Sequence, residues 1–454
     1  MTAKLFSHID LPFRTIVLVC LAIAFALAAS MAFSSSFDRH PDELFHFLAA
    51  RYYEYHFFPP EIGDPAVRET YSVWGVSYLN FQWIEYFLAG KFMLIVSLIE
   101  GDPRIAARCF QLFLFAALGG FLLTRSTFKF EATIAAAFLL ITPQVWYVFS
   151  YVNNDAFALA VAFLIAYQLA ADGSLINRFL NGEGVSGGVI AGLLIGVLLI
   201  CKTNYWAFLI FVALWLVSRF GLKAVSLKRY ALIACVAFAV VGFRIGLDLY
   251  VNGETNFVGA SYISYISGSM TSNGAKLAAY QEEIADPRYK PSVIDNDLAN
   301  TPADVHIADK GAPFTDIFAK WGWHRISFYS FTGVYGYMTI FGPRAYYNLM
   351  ALIYLAFSIY LAFALIRARE RQALIQLAIT TLCAIICVLS SAYLSWTYAF
   401  QAQGRYLFPI LPMAGVLVAA NRRSVNNKIL LSIFLIAFAA SVYSFVFVGL
   451  RHIG

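Results

Sequence analysis

Charge is what this chain has least of. Only 13% of its 454 residues are Asp, Glu, Lys or Arg, against 61% hydrophobic, which excludes a disordered chain and a water-solvated globule of ordinary composition. Cysteine is sparse too. All six (Cys20, Cys109, Cys201, Cys235, Cys383, Cys387) fall in or at the ends of apolar runs, so no disulfide framework staples the polar segments. Cys383 and Cys387 share a helical face, yet no histidine or carboxylate lies near them in sequence, and they read as packing. Also missing are a Walker-type loop, a dinucleotide fingerprint, a zinc-protease motif and an internal repeat. A soluble energy-rich nucleotide is therefore not the expected substrate. The net charge of +6 is no nucleic-acid footprint, because the basic residues lie in short clusters between apolar runs, where topology signals lie.

What the chain has in excess is apolar sequence long enough to cross hydrocarbon. The runs 13–33, 104–124, 131–150, 156–171, 185–201, 204–218, 230–250, 346–366, 372–392, 407–421 and 429–449 read as about eleven transmembrane helices. The expected fold is thus an all-α polytopic membrane protein, a single integral-membrane domain over 1–454. The first run contains the signal-peptidase-like triplet Ala26-Leu27-Ala28, but it is longer than a signal h-region and reads as a retained helix with its N-terminus inside. The run 81–99 carries Glu85 and Lys91 and reads as juxtamembrane or re-entrant. If it crossed, the clusters Arg125/Lys129, Arg219/Lys223/Lys228/Arg229, Arg367/Arg369/Arg371 and Arg422/Arg423/Lys428 would all face outward, against the positive-inside rule. Two long outer segments follow from this topology. The first, 34–103, holds a Pro59-Pro60 break and the aromatic stretch TYSVWGVSYLNFQWIEYF, suited to juxtamembrane helices in the interface. The second, 251–345, holds the only strongly polar stretch.

Four polar constellations sit at the outer ends of these helices. Asp42-Glu43 with His46 comes first, at a membrane surface where acids lose solvation. One carboxylate suits a general base and the other an orienting group; alternatively both cap an interfacial helix after Pro41. Glu43 and His46 also have the i, i+3 spacing of a metal pair. Asn153-Asn154-Asp155 supplies a second carboxylate or a helix cap. Lys202-Thr203-Asn204 interrupts two runs too short to be comfortable spans, which puts Lys202 on a phosphate or snorkelling to the interface. Gln401 to Tyr406 brings Arg405, with Gln403 and Tyr406, to the start of the tenth run. Its guanidinium suits bidentate phosphate binding or interfacial anchoring. Together they offer a base for a hydroxyl and cations for a departing phosphate.

HPDELFHF, YVNNDAFALA and ICKTNY resemble motifs of the GT-C superfamily of membrane glycosyltransferases, the group containing protein O-mannosyltransferases and lipid A aminoarabinose transferases. SFYSFTGVYGYM (327–338) and QGRYLFPILP (403–412) look like a bacterial branch of it. The likeness covers most of the chain as a topology, and its specific motifs only a small part. It implies a polyprenyl-phosphate sugar donor, a glycan, lipid or protein acceptor, and an active site on the extracytoplasmic face of the bacterial cytoplasmic (inner) membrane. By the same resemblance Asp42 is the base, with Glu43 beside it and Asp155 the second acidic position. Arg405, Lys202 and Tyr406 take the donor phosphate, and His46 and Gln403 contact the acceptor or a metal. Lys202 precedes Thr203, the reverse of the family's Thr-Lys order. Some members bind a divalent metal and others do not, so no cofactor is assigned; membrane lipids are expected partners and nucleic acid is not. A transporter or flippase of a lipid-linked glycan is the alternative from another class and calls for repeat-related broken helices. A glycan polymerase or ligase is a nearer one and needs no base at Asp42. For transfer in one site, the Asp42 carboxylate and the Arg405 guanidinium should face one outer cavity, about 6 to 14 Å apart; direct pairing in an empty site fits only if the salt bridge can open to admit substrate, and more than about 20 Å does not fit.

Overall fold

An apolar chain has to satisfy its backbone hydrogen bonds internally, and a helix does so within one segment. The computed structural model describes residues 3–81, 83–126, 130–253 and 273–453, and these are almost wholly helical. Gln82, Lys129 and the 254–272 part of the second outer segment lie outside the described residues. Among the described residues one two-stranded sheet pairs Val334–Tyr335 antiparallel with Ile340–Phe341.

Seven helices are long and apolar enough to cross a membrane, by length and composition: Phe13–Ser34, Pro103–Arg125, Thr203–Phe220, Ala224–Asn252, Arg344–Ala368, Arg371–Thr397 and Asn427–Ile453. Four shorter apolar helices, Phe130–Leu140, Asp155–Ala170, Ser186–Cys201 and Gly404–Ala420, occupy the places of the other four runs. The protein is an all-α, membrane-embedded chain. One run is not the single helix expected. Residues 131–150 form two helices, Phe130–Leu140 and Pro143–Val148. Pro143 disfavours helical backbone at the residue before it. Thr142 is accordingly extended and becomes an N-cap whose hydroxyl accepts from the Gln144 N–H. The polar break falls where the sequence put it: Lys202 is extended (φ −160°, ψ 125°) between Ser186–Cys201 and the 3-10 turn Thr203–Tyr205.

Lipid tails are as apolar as leucine, so close packing rather than water exclusion holds helices together in a bilayer. Phe130–Leu140, Asp155–Ala170 and Ile410–Ala420 pack on one another at the centre, where Leu139, Leu140, Leu159 and Val418 have no exposed surface. Ser186–Cys201 lies along Ala224–Asn252 because Gly192 and Gly196, four apart, let backbones approach. A Cβ added at either would stand 2.7 Å from the Ile233 carbonyl oxygen or 2.8 Å from that of Ala237. In the first outer segment, Trp83–Val96 packs on Glu43–Tyr55 in the same way, a Cβ at Gly90 falling 2.5 Å from the Ala50 carbonyl. Trp83–Val96 has 14 residues, a rise of about 21 Å against roughly 30 Å of hydrocarbon.

The basic clusters predict orientation. In a background lacking the exposed Cys235, cysteines introduced at Lys223 and Arg369 should react with an impermeant label only from the cytoplasm, and one at Asn296 only from outside. Labelling of position 223 from outside would reverse the arrangement.

Candidate functional site

The loop between the first two helices is built around a buried arginine. Arg108, 2% exposed, sits in the first turns of Pro103–Ser126. Its Nη1 donates to the carbonyls of Ala32 and Ser35 and its Nη2 to that of Ser36, closing the C-terminal end of Ala3–Ser34. Its Nε and Nη2 also grip Glu43 at 2.7 and 2.8 Å. Glu43 has no exposed surface, and its Oε2 accepts from the Asp38 N–H as well. The two adjacent acids therefore part company: Glu43 holds the loop, while Asp42 is half exposed and makes no cap bond. Asp42 is also in the left-handed region (φ 57°, ψ 14°), a conformation that costs most residues energy and that Asp tolerates better than most. His40 braces the same loop, bonding Ser35 Oγ and Tyr147 Oη and stacking on Tyr151 at 4.7 Å. Burial, helped by the Arg108 charge, holds its pKa well below the ordinary histidine value, so it is neutral at pH 7.

Asp155 is aimed by a different residue. The helix cap expected of it is supplied by Asn153, whose Oδ1 accepts from the N–H groups of Asp155 and Ala156. That frees a carboxylate with no exposed surface to take two cations: Lys202 Nζ lies 2.5 Å from Oδ1, and Arg405 Nη1 3.3 Å from Oδ2. Lys202 also donates to Asn154 Oδ1 at 2.8 Å. Arg405 reaches the other way to Asp42, Nη2 to Oδ2 at 3.7 Å. The result is an alternating ladder, Asp42, Arg405, Asp155, Lys202, drawn from four separate regions of the chain.

Arg405 is set in place by backbone contact. Gly404 lies so close to the Trp323–Gly333 helix that a Cβ there would come 2.0 Å from the Phe331 nitrogen, and its N–H donates to Ser330 Oγ. This joins the two motifs SFYSFTGVYGYM and QGRYLFPILP. Gln403 Oε1 accepts from Arg405 Nε at 2.5 Å, so Gln403 orients the guanidinium. The Tyr406 ring lies 5.7 Å from both Lys202 Nζ and the Arg405 guanidinium carbon, and its hydroxyl bonds Gln401 Oε1. His46 is buried, stacked on Tyr78 at 4.1 Å with Nδ1 bonded to Tyr86 Oη. Burial, reinforced by Arg405 and Lys202, pushes its pKa well down, so it adds no third cation. Glu43, given to Arg108, does not form the spaced metal pair with His46. Among the described residues no group of three His, Cys, Asp or Glu is placed to hold a metal.

Asp42 and Arg405 do face one another, but not across an open cavity at 6 to 14 Å. They touch, and the ladder is closed on itself, Arg405 being 8% exposed. A pair with one half-exposed member contributes at most about 1 kcal/mol, so a ligand can open this end cheaply. A polar cavity of about 460 Å³ does exist, lined by Glu131, Asp172, Arg219, Glu370, Gln376 and Arg422 among others. Asp172 and Arg219 lie beyond or near the far ends of the helices that begin at Asp155 and Trp206, so this cavity is remote from the ladder. The sequence reading missed Arg108, although a charge inside an apolar run is itself a signal. It noted Glu85 only as an obstacle to spanning. No family model matches the chain, and no curated protein is significantly similar to it.

Chemically, the ladder offers a half-exposed carboxylate able to accept a proton and two cations able to receive an anion. The roles of the neighbouring acids separate by experiment. Glu43→Gln leaves Arg108 buried against a neutral partner and should cost about 3 to 5 kcal/mol of stability, read as a lowered midpoint of unfolding in detergent. Asp42→Asn should leave that midpoint within about 1 kcal/mol of the parent.

Proposed function

We propose that the chain is an integral-membrane glycosyltransferase of GT-C type. It has eleven spans and sits in a bacterial cytoplasmic membrane with its site on the extracytoplasmic face. The donor is a sugar on polyprenyl phosphate and the acceptor a hydroxyl of a glycan, lipid or protein. The observation that carries this reading is the ladder itself: Asp42, strained and half exposed, held against Arg405, with Lys202 one carboxylate further on.

In the reaction, the donor phosphate displaces Asp42 from Arg405 and draws Lys202 toward it. The freed Asp42 carboxylate takes the proton of the acceptor hydroxyl as that oxygen attacks the anomeric carbon. The bond from that carbon to the phosphate oxygen breaks on the opposite face, inverting the centre, and its electron pair stays on the phosphate. Arg405 and Lys202 stabilise the charge that develops there, Arg405 in the orientation fixed by Gln403. Asp155 holds both cations ready in the empty site, and Tyr406 walls the phosphate side. A transporter reading would use the same ladder as a gate. It draws support from the several interrupted helices, at Thr142, Lys202 and Gly404–Leu407.

Purified protein incubated with defined polyprenyl-phosphate sugars and candidate acceptors, with products identified by mass spectrometry, decides between these. Transfer should be seen, and Asp42→Asn should slow it by about 10² to 10⁴-fold, the cost of losing a general base, with donor lipid still bound. Near-normal turnover by Asp42→Asn would move the base to Asp155. Donor lipid carried across proteoliposomes without transfer would favour the transporter.

A further inference from the structure

Glu85 lies in the first turn of Trp83–Val96 and is 2% exposed. Neither of its carboxyl oxygens has a hydrogen-bond partner. Burying such a group without a partner is expensive, and an acid kept under those conditions points to use. The charged groups acting on it are Lys202 and Asp155, with Tyr86, Cys201 and Tyr205 also in electrostatic reach. Burial pushes the Glu85 carboxyl well above the ordinary range; Lys202 opposes this and Asp155 reinforces it. Burial without a partner thus favours the protonated form of Glu85, whose O–H can donate. Asp155 Oδ2 is the complementary atom, buried, without a hydrogen bond and in an ion pair with Arg405.

Charge balance shows why the two belong together. Asp42 and Asp155 against Arg405 and Lys202 sum to zero, and an incoming phosphodiester adds a negative charge. Once the cations turn to the phosphate, Asp155 is left as a buried carboxylate beside an anion, a costly arrangement unless another donor reaches it. We propose that Glu85 and Asp155 act as a carboxyl pair in which Glu85 donates its O–H to Asp155 when an anionic ligand draws Lys202 and Arg405 away. The hydrogen bond forms inside the pair and no proton leaves it. Glu85 is thus a positioning residue: it touches no ligand and acts by letting the two cations go. This rests on the phosphate-binding reading of the ladder.

The test measures binding of a polyprenyl phosphate without sugar to the protein in phosphatidylcholine nanodiscs, between about pH 6 and 9. Glu85→Leu should bind about tenfold more weakly at pH 7, while its thermal unfolding midpoint stays level or rises because an unpartnered buried acid is gone. Glu85→Gln, which keeps the side chain's shape and supplies an N–H donor, should recover most of that loss. A group with a raised pKa keeps its proton until the pH climbs through that value, so parent affinity should fall on the alkaline side. Lys202, whose own pKa burial lowers, contributes to that limb in both proteins, so the limb should shrink in Glu85→Gln without vanishing. Equal affinity in parent and Glu85→Leu, or an unchanged alkaline limb in Glu85→Gln, would overturn the pair and leave the phosphate reading standing. If Glu85→Leu does not fold, the Glu85→Gln profile decides alone. A parent protein that binds no polyprenyl phosphate at any pH would overturn the phosphate reading, and the pair with it.

Discussion

A carboxylate with no exposed surface is costly unless cations stand against it, and Asp155 has two. That constraint organises the part of the molecule around it. Lys202 can reach Asp155 because the chain leaves helical geometry at the break between Ser186–Cys201 and Thr203–Tyr205. Arg405 can reach it because Gly404 allows backbone to touch backbone at Phe331. Asn153 takes over the capping duty that would otherwise occupy the carboxylate. Three local irregularities thus serve one charge, and Asp42 is tied in only through Arg405.

The second fixed point is Arg108, which closes the end of the first helix and grips Glu43 in the same fork of nitrogens. A fully buried pair of this kind is strongly destabilising to break, whereas the contact of Asp42 with Arg405 is long and half exposed. A buried structural pair and a half-exposed carboxylate thus occupy adjacent positions. The buried pair lies beside the left-handed residue Asp42, whose own ion pair leaves it half exposed.

Some of this was legible in the sequence. Apolar runs of hydrocarbon length, read with the basic clusters between them, determined the helical membrane class and the position of nearly every long helix, because transfer from water to lipid depends on composition over about 20 residues. Asp42, Asp155, Lys202 and Arg405 were visible as charges in places where charge is costly, and the structure brings all four together. The sequence also determined the helix break at Pro143 through the restriction proline imposes on its predecessor, although the run around it reads as one span.

Only the tertiary structure decided which charge meets which. Asp42 and Glu43 are indistinguishable by type and neighbourhood, and what separates them is that Arg108 lies on Glu43's side of the helix. The identity of the cap at Asn153 and the isolation of Glu85 are likewise properties of three-dimensional neighbours. So is the closed state of the ladder, where direct contact replaces the open separation expected between Asp42 and Arg405. Hydropathy acts along the chain and can be summed from sequence; ion pairing and orphaned polar atoms depend on distances between residues far apart in it, and those exist only once the helices have packed.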